Sequence, residues 1–259
     1  MQREELVSIV MPNYNCEKFV AETVKSVIDQ TYQNWELLFV DDCSTDRSVE
    51  IVESFGDPRI KILKNPQNSG AAISRNYALR EAKGKWVAFL DSDDLWHKEK
   101  LEKQIKFMKD NGYAFSYTYY SIVRENGKKD PYVYTGPKKV TRRKLFNYCY
   151  YSTITVMYDR EVVGLVQIED LKKNNDYALW FEVSKKATCY RFPENLSTYC
   201  KRESSISSGS KLKLIKHHYI MFRKGLKKGR IASFFLTLNN LFFGVLKKIF
   251  YKKKRLENK

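Results

Sequence analysis

The chain lacks several features that would assign a protein to a class at once. Its 5 cysteines are odd in number and show no metal-ligand spacing, and neither do its 3 histidines. We therefore expect free thiols in a reducing cytoplasm and histidines on the surface. The first residues carry acids and lead directly into a predicted strand, so we expect no secretory signal. The sequence shows neither an internal repeat nor a low-complexity linker.

The chain also lacks a long uninterrupted apolar run, and its C-terminal part is poor in acids. The apolar segment 231–246 is interrupted by Asn239 and Asn240, and its sixteen residues are fewer than the ~20 that span a bilayer. Residues 211–259 contain fifteen Lys or Arg and a single acid, whereas residues 1–210 contribute only +3 to the total net charge of +17. The chain therefore divides into a nearly neutral body and a strongly basic tail.

The body is predicted to be an α/β domain. The chain is 43% hydrophobic and 14% aromatic, which is typical of a globular protein with a full core. Strand-like runs alternate with amphipathic segments over the first 110 residues. The predicted strands cover 6–11, 37–40, 60–63 and 86–90, and the predicted helices cover 17–29, 47–55, 69–82 and 98–109. This alternation favours right-handed crossovers and a mostly parallel sheet flanked by helices.

The pattern is less regular after residue 112. Strand-like runs on both sides of Asn126-Gly127 predict an antiparallel hairpin. Residues 153–158 are predicted to form a buried strand, and 176–186 a helix. Gly84 is predicted to end the helix 69–82. The segment 211–251 predicts one or two amphipathic helices.

Polar clusters follow three of the predicted parallel strands, where an open sheet binds its ligands. The candidates are Pro12, Asn13, Tyr14 and Asn15 after the first strand, Asp41, Asp42 and Asp46 after the second, and Asp91, Ser92, Asp93 and Asp94 after the fourth. Carboxylates this close repel one another and raise each other's pKa unless a cation joins them. A hard divalent ion such as Mg²⁺ or Mn²⁺, with phosphate oxygens as further ligands, would relieve the repulsion.

Simpler structural roles exist for some of these residues. Ser44 and Asp46 are N-cap candidates for the second helix, and Asp94 is a candidate to cap the next helix or turn. The segment 68–76 joins a glycine to a helix start, which suits an anion. Arg75 within this segment could equally be a surface arginine.

Four segments, 7–15, 40–46, 68–76 and 89–94, occur in this order and include the DXD motif Asp91-Ser92-Asp93. Together they resemble the nucleotide-sugar-binding half of family 2 glycosyltransferases, which are inverting enzymes with the GT-A (Rossmann-like) fold. The resemblance covers roughly residues 5–210 and is strongest over 5–105.

The resemblance implies a role for each matched position. Asp42 would accept from the uracil imide of a UDP-sugar, and Tyr14 with the backbone of Pro12, Asn13 and Asn15 would border the base. Asp91 and Ser92 would lie near the ribose and the metal. Asp93 would bind Mn²⁺ or Mg²⁺, with Asp91 as a second metal residue, and Arg75 would lie close to the nucleotide.

The resemblance also implies a general base. Asp176 matches the position of the family's base, and Asn175 stands where the family often has glutamate. Glu169-Asp170 is the fallback pair, and the structural alternative for Asp176 is a helix N-cap. Residues 199–207 resemble a segment that closes over the diphosphate, but Cys200 stands where this segment usually has arginine. Lys201 or Arg202 could replace that arginine.

Two interpretations of the basic tail stay open. Its apolar segment lies between lysine clusters, which suits a helix lying on an anionic membrane surface. Alternatively, the helix packs on the body and the lysines form its solvated face. A nucleic-acid partner is disfavoured, because the tail is too apolar and no nucleic-acid module accompanies it.

These observations favour a metal-dependent, inverting glycosyltransferase of surface polysaccharide synthesis, with a glycan or lipid-linked glycan as acceptor. We expect it to be cytoplasmic and peripheral on the inner face of the cell membrane. We expect residues 1–110 to bind the nucleotide, 111–210 to bind the acceptor, and 211–259 to form the tail. One alternative is a nucleotidyltransferase, but the chain lacks a glycine-rich, lysine-containing phosphate loop. The other is a non-enzymatic membrane-binding protein, which leaves the carboxylates unexplained.

Overall fold

Four parallel strands linked by helices form the first half of the sheet. The computed structural model describes residues 5–202 and 211–254, with the side chains of 211–214 excepted. The strands are β1 (Val7–Asn13), β2 (Trp35–Asp41), β3 (Ile60–Lys64), β4 (Trp86–Phe89), β5 (Leu95–Trp96), β6 (Phe115–Arg124), β7 (Lys129–Tyr134), β8 (Lys139–Val140), β9 (Val156–Asp159), β10 (Cys189–Lys201) and β11 (Lys252–Lys254).

The helices flank this sheet and extend into the tail. They are α1 (Val20–Ile28), α2 (Ser48–Glu53), α3 (Ala71–Glu81), α4 (Lys100–Asn111), α5 (Arg142–Leu145), α6 (Arg160–Val163), α7 (Asn175–Val183), α8 (Lys211–Ile220) and α9 (Arg230–Phe250). A π-helical turn, Met221–Gly225, follows α8 directly. Within the described residues, no helix is long and apolar enough to cross a membrane.

The sheet is parallel in one half and mixed in the other. Its strand order is β11-β7-β6-β9-β4-β1-β2-β3, and β3, β2, β1 and β4 are mutually parallel, as predicted. Beyond β4, strand β9 pairs antiparallel with both β4 and β6. The predicted hairpin is confirmed by β6 and β7, which pair antiparallel around the Asn126-Gly127 turn. Strand β10 runs parallel to β6.

Both faces of the sheet are covered, so β1 is buried along its whole length. Val10 faces one apolar core, and Ile9 and Met11 face the other, as the two-residue period of a strand requires. Trp180 of α7 packs edge-on against Phe89 of β4, with ring centroids 5.1 Å apart. This contact places α7 beside the loop that follows β4.

Several predicted boundaries differ from the structure, and two of them are wrong for a reason of local structure. Residues Thr153–Thr155 form a 3₁₀ turn rather than the start of a strand, and only β9 after them is extended. Helix α3 ends at Glu81, and Gly84 does not cap it. Gly84 instead lies against β1, where its amide donates to Ser8 Oγ at 2.8 Å. A Cβ atom at Gly84 would lie 2.6 Å from Ser8 N.

Replacing Gly84 with alanine is therefore expected to destabilise the fold. The added methyl group would force β1 and the start of β4 apart, and such overpacking costs about 1–3 kcal/mol. Gly229→Ala is the matched control, because no atom lies within 4 Å of the added Cβ. Since Gly229 is the N-cap of α9, a loss below ~1 kcal/mol is expected there. Urea unfolding measures both, and equal midpoints would contradict the prediction.

Candidate active site

The acidic loop after β4 is neutralised by two arginines from distant parts of the chain. Arg75 of α3 pairs with Asp91, with 2.5 Å between Nη2 and Oδ1. Arg202 follows β10 and pairs with Asp93 through Nε and Nη2 at 2.5 Å. Burial and the Asp91 charge raise the pKa of Asp93, and Arg202 opposes this shift. The predicted DXD residues therefore lie together with internal cations.

Arg75 connects the acidic loop after β4 with the first turn of α7. It is only 6% exposed, so the surface alternative is wrong. Besides its bond to Asp91, its Nη1 donates to Asn175 Oδ1 at 2.8 Å, while its buried Nε has no partner among the described residues. Burial lowers the pKa of Arg75, but the surrounding carboxylates, including Asp176, raise it above its ordinary value. The residue at the family's glutamate position thus binds the same arginine as the DXD motif.

Asp176 lies in the first turn of α7, beside this arginine. Its Oδ2 accepts from Thr153 Oγ1 at 2.9 Å, and its Oδ1 accepts from Tyr177 N at 2.8 Å. The N-cap of α7 is Asn174, so the N-cap alternative for Asp176 is wrong. Thr153 was not predicted as a site residue, because it belongs to the turn that the sequence pattern assigned to a strand.

The fallback acids Glu169 and Asp170 are both exposed. Glu169 faces the tail, where its Oε1 lies 3.5 Å from Lys227 Nζ.

Asp94 fastens the acidic loop to β10. Its Oδ1 accepts from Cys200 N at 2.7 Å. The prediction that Asp94 caps the next helix or turn is therefore wrong. Burial and the charges of Asp93 and Asp91 raise the pKa of Asp94 well above its usual range. Its buried Oδ2 has no partner in the described part of the chain. These surroundings favour the protonated carboxyl.

Cys200 stands at the position where the similar family segment usually has arginine. Burial raises the pKa of the Cys200 thiol to about 12, so this side chain carries no charge at neutral pH. The guanidinium two residues later reaches Asp93 instead. Of the segment predicted to close over the diphosphate, residues 203–207 lie outside the described residues.

Asp42 binds the loop that leads into α3. Its carboxylate accepts from Asn65 Nδ2 at 2.7 Å, from Ser69 N at 2.8 Å and from Gly70 N at 2.7 Å. Gly70 is the N-cap of α3 and has φ 85°, a conformation that glycine adopts without strain. The anion at this helix start is therefore Asp42 itself.

The loop after β1 is tied to the loop after β2. Asn13 Nδ2 donates to Asp41 Oδ1 at 3.0 Å and to Ser44 Oγ at 3.1 Å, and Asn15 Oδ1 accepts from Thr45 N at 2.8 Å. These bonds leave the Tyr14 side chain 50% exposed at the same edge of the sheet. Two further residues predicted to line the nucleotide site are buried, namely Pro12 in β1 and Ser92 in the loop after β4.

The N-cap predictions for α2 are wrong, because the N-cap is Arg47. Asp46 precedes the N-cap, and its Oδ1 accepts from Ser48 N at 3.0 Å. Ser44 instead binds the loop after β1.

The oxygens of Asp91 and Asp93 suit a hard divalent cation. Within residues 5–202 and 211–254, no group of three or more His, Cys, Asp or Glu side chains could hold a metal ion. Two carboxylates cannot complete an octahedral shell, so a Mg²⁺ or Mn²⁺ ion here would also need phosphate and water oxygens. The donor set therefore fits an ion that binds together with a phosphorylated ligand.

A parallel half-sheet with an acidic loop at its carboxyl edge, extended by a mixed half, is the arrangement of the GT-A fold. Comparison with known proteins agrees. Residues 8–164 match the family model described as Glycosyl transferase family 2, and the chain belongs to this family.

Two curated relatives cover nearly the whole chain. A putative teichuronic acid biosynthesis glycosyltransferase, TuaG of Bacillus subtilis, is 40% identical over 85% of this chain and 88% of its own. The Escherichia coli protein WfgD is 38% identical over 95% of this chain and 96% of its own. WfgD is named as a UDP-Glc:α-D-GlcNAc-diphosphoundecaprenol β-1,3-glucosyltransferase. The protein is therefore a glycosyltransferase.

Solved structures support the fold. S. aureus TarS 1-349 in complex with UDP-GlcNAc superposes with a TM-score of 0.70 over 92% of this chain and 72% of its own, at 22% identity. The mannosyltransferase PcManGT of Pyrobaculum calidifontis, solved with GDP-Man and Mn²⁺, has a TM-score of 0.65 over 96% of this chain and 74% of its own, at 18% identity.

Proposed function

We propose that this glycosyltransferase moves a sugar from a UDP-sugar to a hydroxyl of a lipid-linked glycan, with inversion, during synthesis of a surface polysaccharide. The observation that carries the proposal is the placement of Arg75, which binds Asp91 and Asn175 and lies beside Asp176. One cation thus connects the candidate donor acids with the candidate base. The names of the relatives WfgD and TuaG support this acceptor class and pathway class.

The donor side would be formed by residues 1–110. Tyr14 and the backbone of Pro12, Asn13 and Asn15 would border the uracil, and Ser92 would lie near the ribose. The Asp42 carboxylate already accepts three hydrogen bonds from within the protein. About one of its four lone-pair positions therefore stays open for the uracil imide. Asp91 and Asp93 would hold Mn²⁺ or Mg²⁺. When bound, this ion would neutralise charge on the departing diphosphate.

The acceptor side would be formed by residues 111–210. Asp176 would take the proton from the acceptor hydroxyl as its oxygen attacks the anomeric carbon. Thr153 and the Tyr177 amide hold one carboxylate oxygen each, and this fixes the orientation of the base. Asn175, standing where glutamate is frequent, binds Arg75 without adding a second negative charge beside Asp176.

Calorimetric titration with UDP tests the donor side. We expect UDP affinity to rise when Mn²⁺ is present, and Asp93→Asn to remove most of this gain. Asp110→Asn is the control, because this exposed acid pairs only with Lys106 among the described contacts. If UDP binds neither with nor without Mn²⁺, the proposal is wrong.

Release of diphosphate from UTP and a sugar 1-phosphate would instead favour the nucleotidyltransferase. A panel of nucleotide sugars would then identify the donor sugar.

We also propose that the tail, residues 211–259, attaches the enzyme to the anionic cytoplasmic face of the membrane. Large apolar side chains of α9 point away from the body and are about half or more exposed. They are Ile231, Phe234, Phe235, Leu238, Phe242, Val245, Ile249 and Phe250. Lys227 and Lys228 precede this outward face, and Lys252–Lys254 follow it. An apolar face between cations suits a helix lying in a lipid interface.

Replacing Phe234 and Phe242 together with serine is expected to release the enzyme from vesicles that contain anionic lipid. The change removes two large side chains from the outward face without touching the body. Val162→Ser with Leu165→Ser is the matched control, because these exposed apolar side chains lie far along the chain from α9. Co-sedimentation measures both pairs. Unchanged sedimentation of the α9 variant would contradict the membrane proposal, and a lipid-free dimer that it abolishes would assign the face to a second copy.

A further inference from the structure

Helix α9 turns a largely polar face inward. On this face Ser233, Thr237 and Asn240 are buried and Leu236 is partly buried, whereas Phe242 on the outward face is 61% exposed. A surface helix in water normally buries its apolar stripe. Neither sequence interpretation of the tail anticipated this arrangement, in which the helix both packs on the body and keeps its apolar face free.

Specific hydrogen bonds hold α9 in this orientation. Asn240 Nδ2 donates to the Tyr177 hydroxyl at 2.9 Å, and that hydroxyl donates to Leu145 O. Asn239 Nδ2 donates to Phe146 O at 3.2 Å. One turn later, the Tyr148 ring packs directly against Gly244. A Cβ atom at Gly244 would lie only 2.9 Å from this ring. Buried polar contacts of this kind select one helix orientation over another.

A partly buried lysine adds to the same interface. Lys247 Nζ donates to Cys149 O at 3.1 Å, and burial lowers the pKa of this ammonium group to about 8. Lys247 therefore belongs to the packed face of α9 and not to its solvated one.

The same contacts reach the turn that carries the candidate base. Tyr177 follows Asp176 directly, and its amide donates to the Asp176 carboxylate. His218 of α8 packs edge-on against the Tyr177 ring and lies 3.4 Å from Asn174 through its Nδ1. The expected surface position of this histidine is wrong, since it is buried and burial lowers its pKa to about 4. The first turn of α7 is thus held by Arg75 and Thr153 on one side and by α8 and α9 on the other.

We propose that α9 acts as a brace, meaning that its contacts with α7 hold the candidate general base Asp176 in position, with Asn240 and Tyr177 as positioning residues. An anionic bilayer strengthens this brace. The inference rests on the proposed function, namely transfer through Asp176 and membrane binding through the outward face. In water, the exposed apolar face of α9 favours states in which the helix turns or detaches. In a bilayer the outward face is buried in lipid, and the bilayer therefore favours the state in which the inner face contacts α7. The turnover number should rise on anionic vesicles while UDP affinity stays constant.

Tyr177→Phe and Asn240→Ala test the brace in the full-length enzyme. On vesicles of phosphatidylglycerol and phosphatidylcholine, each should lower kcat about 10-fold and change the donor KM less than 2-fold. The double variant should be no slower than the slower single variant, because both changes remove one shared contact. Thr237→Val is the matched control. This buried hydroxyl on the same face donates within α9, to Ser233 O, and its loss should change kcat less than 2-fold.

Hydrogen–deuterium exchange gives a readout that does not depend on turnover. Adding these vesicles should slow exchange in α7 of the wild type, and Asn240→Ala should remove this effect while still sedimenting with vesicles. If the wild type transfers sugar and binds vesicles, but Tyr177→Phe and Asn240→Ala keep its kcat and its α7 protection, the brace is refuted and the proposed function stands. If the wild type shows no transfer with any nucleotide sugar, the proposed function fails first.

Discussion

Replacing Asp176 with asparagine is expected to slow sugar transfer about 10²–10⁴-fold, the range that a general base contributes. The amide has nearly the same shape as the carboxylate, and its Oδ1 can still accept from the Tyr177 amide. What is lost is the ability to take the proton of the acceptor hydroxyl. UDP binding should be unchanged, because this side chain belongs to the acceptor side. Initial rates with saturating donor and acceptor, together with UDP titration, measure the two effects separately.

Asp170→Asn is the control for this change. Asp170 is exposed and belongs to the fallback acid pair. Loss of transfer in Asp170→Asn with full transfer in Asp176→Asn would move the base to that pair. Loss of UDP binding in Asp176→Asn would mean that the residue serves the donor and is not the base.

Replacing Arg75 with methionine is expected to abolish transfer and to destabilise the protein by about 3 kcal/mol. Removing one partner of a buried ion pair costs about 3–5 kcal/mol, and the partly exposed Asp91 side chain places this case at the lower end. The change also leaves Asn175 Oδ1 without its donor. Arg75→Lys should recover little, because one ammonium group cannot reproduce the fork that reaches both residues. Urea unfolding and transfer assays measure both losses.

Arg80→Met is the matched control on the same helix. Arg80 is exposed and donates to Gln167 Oε1 at 3.0 Å, so its loss should cost less than ~1 kcal/mol. A similar loss of stability in the two variants would show that the position on α3, rather than the buried ion pair, determines the effect.

The sequence was sufficient for the parallel half of the fold. Strands β1 to β4 and helix α3 could be predicted because short apolar runs alternate with amphipathic segments there. The acidic loop could be placed at the sheet edge because the carboxyl ends of parallel strands meet there. Gly84 was misassigned because a glycine needed for close approach to β1 looks the same in a sequence as a helix-ending glycine.

Contacts between distant segments could not be predicted. Nothing near Asp94 indicates that its carboxylate binds the Cys200 amide, and nothing near Arg202 indicates that it reaches Asp93. The periodicity of α9 shows an apolar face and a polar face, but only the hydrogen-bonding partners on the body determine which of them packs. For the same reason His218 was expected on the surface.

The contacts of the site have a consequence for how the enzyme becomes active during synthesis. The pair Arg75–Asn175 is separated by 100 positions in the chain, Asp94–Cys200 by 106 and Asp93–Arg202 by 109. We expect these contacts to form late in folding, because contacts between residues far apart in the chain form more slowly than local ones. A nascent chain that has not released residue 202 from the ribosome would then hold a formed β1 to β4 sheet. Its acidic loop still lacks the partners that neutralise and orient it, so a truncated product would fold in part without acquiring the site.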